Sequence, residues 1–186
     1  AQAQSGTAEI LSAERGTIYF TDKNDSKIPA AINKDYSVVF VVPDEVEDVE
    51  EAAQQIISIL ELDIEDVRAL LLKTNDQYEE LIPRATSDQV KAVKNSGIKG
   101  LYVGAKRSRF YPFGSLAANV LGFVGEDDAG RIGGRYGVEA QYDTVLRGQA
   151  GHFDEKNRVV DAVSGQDINL TIDRNIQNQA EKVLSN

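Results

Sequence analysis

The hydrophobic pattern of this chain changes its period at Pro43, and this change constrains the fold more than any other feature. Before it, residues 36–42 form a β-branched and aromatic run typical of a strand, as do residues 15–20. After it, apolar residues recur every three or four positions, which is the period of a helix. Strand-like alternation returns over residues 101–105. We therefore predict an α+β fold with a mostly helical segment inserted between extended ones.

Capping signals divide the inserted segment into three predicted helices. The first is expected to begin at Asp44, and the second is expected to be capped by Asp63. Thr86 and Gln89 have the spacing of a capping box, which predicts a third helix that ends at Gly97. The apolar stripe of the first helix comprises Val46, Val49, Ala53, Ile56, Ile57 and Leu60.

Several motifs follow one another in a fixed order. Arg-Gly-Thr-Ile stands at residues 15–18, and residues 109–125 read Arg-Phe-Tyr-Pro-Phe-Gly-Ser-Leu-Ala-Ala-Asn-Val-Leu-Gly-Phe-Val-Gly. Gly-Val-Glu at 137–139 opens a predicted helix over residues 138–146, and Asp-Ile-Asn-Leu-Thr-Ile-Asp stands at 167–173. This ordered set resembles the non-catalytic N-terminal region of class B penicillin-binding proteins, the cell-wall transpeptidases that penicillin acylates.

The resemblance implies a fold and a division of the chain. The expected fold is α+β and similar to the dimerisation domain of penicillin-binding proteins: an extended, sheet-containing pedestal with an inserted, mostly helical head. The predicted pedestal comprises residues 1–42 and 98–172, and the predicted head comprises residues 43–97. Residues 173–186 are expected to begin a helix that leads into a transpeptidase domain.

The resemblance also implies a set of structural residues that join the domains. We expect the Glu139 carboxylate to pair with Arg15, Arg109 or both. A carboxylate on a helix that packs against a sheet is removed from water and needs a cationic partner. We also expect residues 15–20, 101–105 and 167–172 to lie close together. The full set of expected structural and interdomain residues is Arg15, Gly16, Arg109, Tyr111, Pro112, Gly122, Gly137, Glu139, Asp143, Gly148, Asp173 and Gln177.

The catalytic motifs of these transpeptidases are not expected in this part of the protein. Residues 96–99 read Ser-Gly-Ile-Lys and match the Ser-x-x-Lys pattern literally. The serine nucleophile and its lysine must lie one turn apart on a helix, whereas Gly97 is typical of the residue at which a helix ends. No Ser-x-Asn follows Ser96, and Lys-Thr at 73–74 precedes Asn75 in place of glycine. We predict that Ser96 and Lys99 match by coincidence and that the chain has no catalytic residues of its own.

Composition excludes several kinds of ligand. The net charge of −10 disfavours nucleic acid, whose phosphates need a basic surface. With no cysteine and with His152 as its single histidine, the chain lacks the usual zinc ligands, and we expect neither a metal nor another cofactor.

Localisation and partners are implied by the resemblance. It implies the extracytoplasmic face of the bacterial membrane, with attachment only through a helix that precedes this sequence. The implied partners are the transpeptidase domain in cis, a SEDS-type glycan polymerase and other elongation or division proteins that build peptidoglycan, and a second copy in a homodimer.

Two alternatives remain open from the sequence. A stand-alone secreted binding or adhesion module would also be an α+β domain without catalytic motifs. A hydrolase could use two of the many carboxylates, although sequence does not show which of them oppose each other.

Overall fold

The computed structural model describes residues 13–73, 76–128, 130–153 and 158–185. The chain divides into two compact units. The larger unit contains the residues up to Lys34 and those from Arg109 onwards, and the smaller unit is Asp35–Ser108. The smaller unit is therefore an insertion in the sequence of the larger one.

Three strand segments form the sheet of the larger unit. Strand β1 (Ile18–Thr21) pairs antiparallel with the first part of β2 (Lys27–Val41), so that Ile18 lies opposite Ala31. The turn between them is closed by the Asp22 carboxylate, which accepts hydrogen bonds from the backbone N–H groups of residues 24 and 26 at 2.8 and 2.9 Å. On its other side β1 pairs in parallel with β9 (Ile168–Asn169).

The remaining elements of the larger unit are short, and they pack around one apolar core. Two hairpins are formed by β5 (Val124–Glu126) with β6 (Ile132–Gly134) and by β7 (His152–Phe153) with β8 (Val159–Val160). The helices are α4 (Ala118–Leu121), α5 (Gly137–Gln141), α6 (Asp143–Leu146) and α7 (Arg174–Leu184). The buried core comprises Ile18, Phe20, Ala30, Ala31, Leu116, Ala117, Leu121 and Leu146.

The smaller unit packs three helices on one face of a sheet. The second part of β2 pairs antiparallel with β3 (Glu79–Ile82), and β4 (Leu101–Phe110) also pairs with β2. The helices are α1 (Val49–Leu60), α2 (Ile64–Leu71) and α3 (Ser87–Ser96). Their shared core comprises Val39, Val41, Ala52, Ala53, Ile56, Leu60, Val67, Leu71, Val93 and Leu101.

The α+β fold class is confirmed, and so are two of the three predicted helix starts. Asp63 caps α2 by accepting from the backbone N–H of Glu65 at 2.8 Å. Thr86 and Gln89 form a capping box at α3, which ends before Gly97 with φ of 67°.

The predicted start of the first helix at Asp44 is wrong. Pro43–Glu45 form a single 3₁₀ turn, after which Val46 has an extended backbone. The α-helix begins at Val49, because the Asp48 carboxylate accepts from the backbone N–H of Glu51 at 3.0 Å and so caps it.

The predicted helix over residues 138–146 is two helices. The backbone leaves the helical region at Tyr142, where φ is −111° and ψ is 23°, and α6 begins at the next residue. The break places the Asp143 carboxylate beside the backbone N–H of Gly134, from which it accepts at 2.8 Å. The interruption of the helix therefore coincides with a hydrogen bond between Asp143 and strand β6.

The prediction that residues 15–20 and 167–172 lie close together is confirmed. The N–H of Ile168 donates to Thr17 O at 2.9 Å, and the N–H of Leu170 donates to Tyr19 O at 2.8 Å. Residues 101–105 instead belong to the smaller unit. That unit extends beyond the predicted head of residues 43–97, because β2 and β4 continue into it. The predicted pedestal, head and C-terminal helix include residues that lie outside the described ones, namely 1–12, 74, 75, 129, 154–157 and 186.

Removal of the Thr86 hydroxyl should destabilise the chain. In Thr86→Ala the N–H of Gln89 loses its acceptor, so we expect the free energy of unfolding to fall by about 1 kcal/mol. Denaturant unfolding measures this change. Thr86→Ser is the matched control, since it keeps the oxygen and should retain most of the stability. Equal stability of the alanine and serine variants would contradict the role of the cap.

Candidate functional site

One acidic side chain lies wholly inside the larger unit. Glu139, in α5, has a relative exposure of 0%, and it is the single polar or charged residue classed as buried within the described ranges. A carboxylate removed from water destabilises the fold by several kcal/mol unless cations and hydrogen-bond donors surround it. The neighbours of Glu139 therefore decide whether this helix can pack where it does.

Two arginines provide that compensation. Nε of Arg15 donates to Oε2 of Glu139 at 2.7 Å, and Nε of Arg109 donates to Oε1 at 2.7 Å. The guanidinium of Arg15 also donates through Nη2 to the backbone carbonyl of Glu139 at 2.9 Å. The side chains of Arg15 and Arg109 are only 12% and 4% exposed. The predicted pairing of Glu139 with an arginine is thus confirmed, and both arginines take part.

A second layer of polar groups orients the arginines. Nη1 of Arg15 donates to Asp143 at 2.7 Å, and Nη1 of Arg109 donates to Oδ1 of Asn33 at 3.1 Å. Nδ2 of Asn33 donates in turn to the backbone carbonyl of Arg15 at 2.6 Å. Sequence reasoning missed Asn33, because a single asparagine in a strand-forming run carries no pattern. We use the name carboxylate network for the six residues Glu139, Arg15, Arg109, Asp143, Asn33 and Tyr111.

Tyr111 closes the network on its remaining side. Its hydroxyl donates to Oε1 of Glu139 at 3.4 Å and accepts from the backbone N–H of Val124 at 3.1 Å. Burial, with the negative charge of Glu139, raises the pKa of Tyr111 to about 12. The phenol therefore stays protonated in the folded protein at pH values where a free tyrosine ionises.

Asp143 is held in its charged form. Burial alone would raise its pKa, but the hydrogen bonds from Gly134 and Arg15, with the charge of Arg15, hold the pKa below its usual range. A lowered carboxyl pKa stabilises the folded state at neutral pH, and this contribution is lost as the pH falls through that lowered value.

The glycines of the predicted set lie where two backbones come too close for a side chain. Gly122 and Gly137 face each other: a Cβ on Gly122 would lie 1.7 Å from the carbonyl oxygen of Tyr136, and one on Gly137 would lie 2.3 Å from that of Val120. A Cβ on Gly16 or Gly148 would likewise meet the backbone of residues 163–167. Gly122 and Gly137 let α4 and α5 pack closely beside the carboxylate network.

The last two residues of the predicted set hold α7 on the larger unit. Asp173 caps the helix and also accepts from the backbone N–H of Lys23 at 3.1 Å. Gln177 donates to Glu181 at 2.7 Å, and Glu181 accepts from the backbone N–H of Ala117 at 2.9 Å. Pro112 is exposed and lies outside these contacts.

The outward face of α7 remains apolar and exposed. Ile176, Val183 and Leu184 lie on it and are 71%, 75% and 85% exposed. No helix within the described ranges is both long and apolar enough to span a bilayer.

The Ser-x-x-Lys match is not arranged as a nucleophile and its base. Helix α3 ends at Ser96, whose hydroxyl donates to the carbonyl of Val93 at 2.8 Å. Gly97 then turns the chain into the left-handed region, and Lys99 forms an exposed ion pair with Glu47. The Lys-Thr-Asn sequence of residues 73–75 lies partly outside the described residues.

Comparison with known proteins identifies the family. The family model of the penicillin-binding protein dimerisation domain matches residues 10–178. The chain is 32% identical to stage V sporulation protein D of Bacillus subtilis, over 93% of this chain and 28% of that protein. It is 25% identical to the peptidoglycan D,D-transpeptidase MrdA of Escherichia coli, over 94% of this chain and 32% of that protein. It thus spans about a third of the length of these relatives.

A solved structure shares the fold. The chain superposes with a TM-score of 0.69 on a complex between penicillin-binding protein PBP2 and MreC from Helicobacter pylori. The match covers 94% of this chain and 38% of that chain at 22% sequence identity.

Truncation of the buried carboxylate should destabilise the larger unit strongly. Glu139→Ala leaves two buried guanidinium groups without their shared anion, so we expect a loss of about 3–5 kcal/mol in the free energy of unfolding. Thermal or denaturant unfolding measures the loss. Glu65→Ala is the matched control, because Glu65 pairs with Arg68 at the surface and little change is expected. An unchanged melting temperature for Glu139→Ala would show that the network is not needed for stability.

The tyrosine should make the folded state sensitive to alkali. Because the pKa of Tyr111 is raised from 10.0 to about 12, the contribution of Tyr111 to stability is constant below pH 10. It falls between those two values, since the tyrosine of the unfolded chain loses its proton first. Denaturant unfolding from pH 9 to 12 should show a shallower decline for Tyr111→Phe than for the parent. Parallel declines would mean that the phenol is not protected by burial.

Proposed function

Because the chain belongs to the family of penicillin-binding protein dimerisation domains, we propose that it is the non-catalytic pedestal of a cell-wall transpeptidase. In this role it positions a catalytic domain that cross-links peptidoglycan, at the extracytoplasmic face of the membrane. Two observations support the proposal: the family match covers most of the chain, and the relatives that it resembles over 94% of its length include a peptidoglycan D,D-transpeptidase.

The observation that carries the proposal is the carboxylate network. Glu139 is joined to Arg15 across 124 residues of sequence and to Arg109 across 30. A support must keep its shape under load, and buried charge pairs with fixed geometry resist rearrangement more than apolar contacts, which tolerate sliding. The interdomain role of the twelve predicted residues is part of this proposal.

The contact with the catalytic domain is assigned to α7. Asp173 and Glu181, the latter positioned by Gln177, hold this helix to the rest of the larger unit. Its exposed face of Ile176, Val183 and Leu184 offers an apolar surface. We assign that face to packing against the transpeptidase domain. The angle of α7 on the pedestal would then set the position of the active site.

Cell-wall synthesis proteins are the proposed class of partner. The structural relative was solved together with MreC, which supports this class. A SEDS-type glycan polymerase and a second copy of the protein are further proposed partners, and they follow from the family resemblance.

Neither alternative from the sequence is favoured. A stand-alone binding module does not account for a match to one transpeptidase family over residues 10–178. A paired-carboxylate hydrolase needs acids that reach a substrate, whereas the buried Glu139 is enclosed and shares Arg15 with Asp143.

The proposal is tested in the full-length protein that carries this domain. With Glu139→Gln, we expect the catalytic domain to remain folded and to be acylated by fluorescent penicillin to within about twofold of the parent, while complementation of a strain depleted of the parent protein fails. Glu65→Gln, at an exposed pair, should complement.

Two outcomes would contradict the proposal. Normal complementation by Glu139→Gln would show that a rigid pedestal is not required. Loss of penicillin acylation in a protein that is still folded would show that the network maintains the active site itself and does not only position the catalytic domain.

A further inference from the structure

Three aromatic rings form a row on the sheet of the smaller unit. The ring of Phe40 in β2 lies 4.8 Å from that of Tyr78, which precedes β3, and 5.7 Å from that of Tyr102 in β4. Gly104 leaves room for the central ring, since a Cβ there would lie 3.2 Å from Phe40. We call Phe40, Tyr78 and Tyr102 the aromatic row.

The row faces away from the helices of this unit. Val39 and Val41 are fully buried in the core beneath α1 to α3, and Phe40 between them projects from the opposite side of the strand. Cross-strand ring contacts stabilise a sheet, and this explains the position of Phe40 between the two tyrosines. Sheet stability does not explain why Tyr78 and Tyr102 remain 47% and 41% exposed. Exposed aromatic side chains grouped in this way are typical of protein-binding surfaces.

The smaller unit as a whole is acidic, and beside the row Glu80 is paired with Lys106 and Glu47 with Lys99. The hydroxyl of Tyr102 donates to Glu45, which belongs to the acidic run of residues 44–51. The hydroxyl of Tyr78 donates to Glu80 at 3.3 Å. Residues 35–108 contain fifteen Asp and Glu residues, which are half of all the acidic residues of the chain, and eight Lys and Arg residues. A partner at this surface is therefore favoured if it is basic.

We propose that the aromatic row is a docking surface for a protein segment that presents aliphatic side chains between lysines or arginines. The aliphatic groups would cover the tyrosine rings, and the basic groups would lie near Glu45 and the acidic run. This assignment extends the partner-binding role proposed above to a defined surface. It does not depend on the carboxylate network, so the two tests can fail separately.

The test uses a short peptide of alternating lysine and leucine, titrated into the isotope-labelled chain and followed by NMR. We expect the largest shifts at residues 40, 78 and 102 and affinity that weakens as salt is added. A lysine–glycine peptide and a glutamate–leucine peptide should each bind about tenfold more weakly or not at all.

Variants identify the surface. Tyr102→Ala should weaken binding of the lysine–leucine peptide by about tenfold. Phe153→Ala is the matched control, because Phe153 is exposed to a similar extent (46%) on the larger unit, and it should bind like the parent. If Tyr102→Ala does not fold, Glu45→Lys leaves the rings in place and should weaken binding several-fold through charge.

Three results would overturn the proposal. If the lysine–glycine peptide bound as tightly as the lysine–leucine peptide, binding would result only from general attraction to an acidic surface. Shifts elsewhere in the chain would place the site away from the row. Absence of binding at low salt would show that the row serves only the sheet.

Discussion

The burial of one carboxylate determines how the larger unit is arranged. Glu139 can leave water only where donors from other parts of the chain converge on it. Arg15 and Arg109 supply those donors, and each makes its own charge-assisted bond to a different oxygen of Glu139. The segment before β1, the end of β4 and helix α5 are therefore fixed relative to one another. A different packing of any of them would leave a buried charge uncompensated.

The features that sequence predicted well are local ones. Asp63, Thr86 and Gly97 act on backbone groups within four residues of themselves, so their spacing alone identifies the ends of α2 and α3. The pairing of Glu139 with arginine was predictable for another reason. Burial of a helix face makes a partner obligatory, and the motif arginines were the available cations.

The features that sequence missed depend on contacts between distant residues. Asn33 bridges Arg15 and Arg109, and nothing in its neighbourhood distinguishes it from a solvent-exposed asparagine. The break at Tyr142 accompanies the contact of Asp143 with Gly134 and Arg15, whereas the local pattern favours a continuous helix. The start of α1 was missed for a local reason. Asp44 and Asp48 both have the chemistry of a helix cap, and the 3₁₀ turn at Pro43 leaves Asp48 as the residue that caps α1.

The parallel pairing of β1 with β9 has a mechanical consequence. Backbone hydrogen bonds join residues 14 and 165, 17 and 168, 19 and 170, and 21 and 172. Tension applied to the chain before residue 14 and after residue 172 pulls these two parallel segments in opposite directions along their length. Such a shear loads the four bonds together, whereas peeling would break them one at a time. The pairing is thus oriented to resist tension between the two ends of the unit by shear.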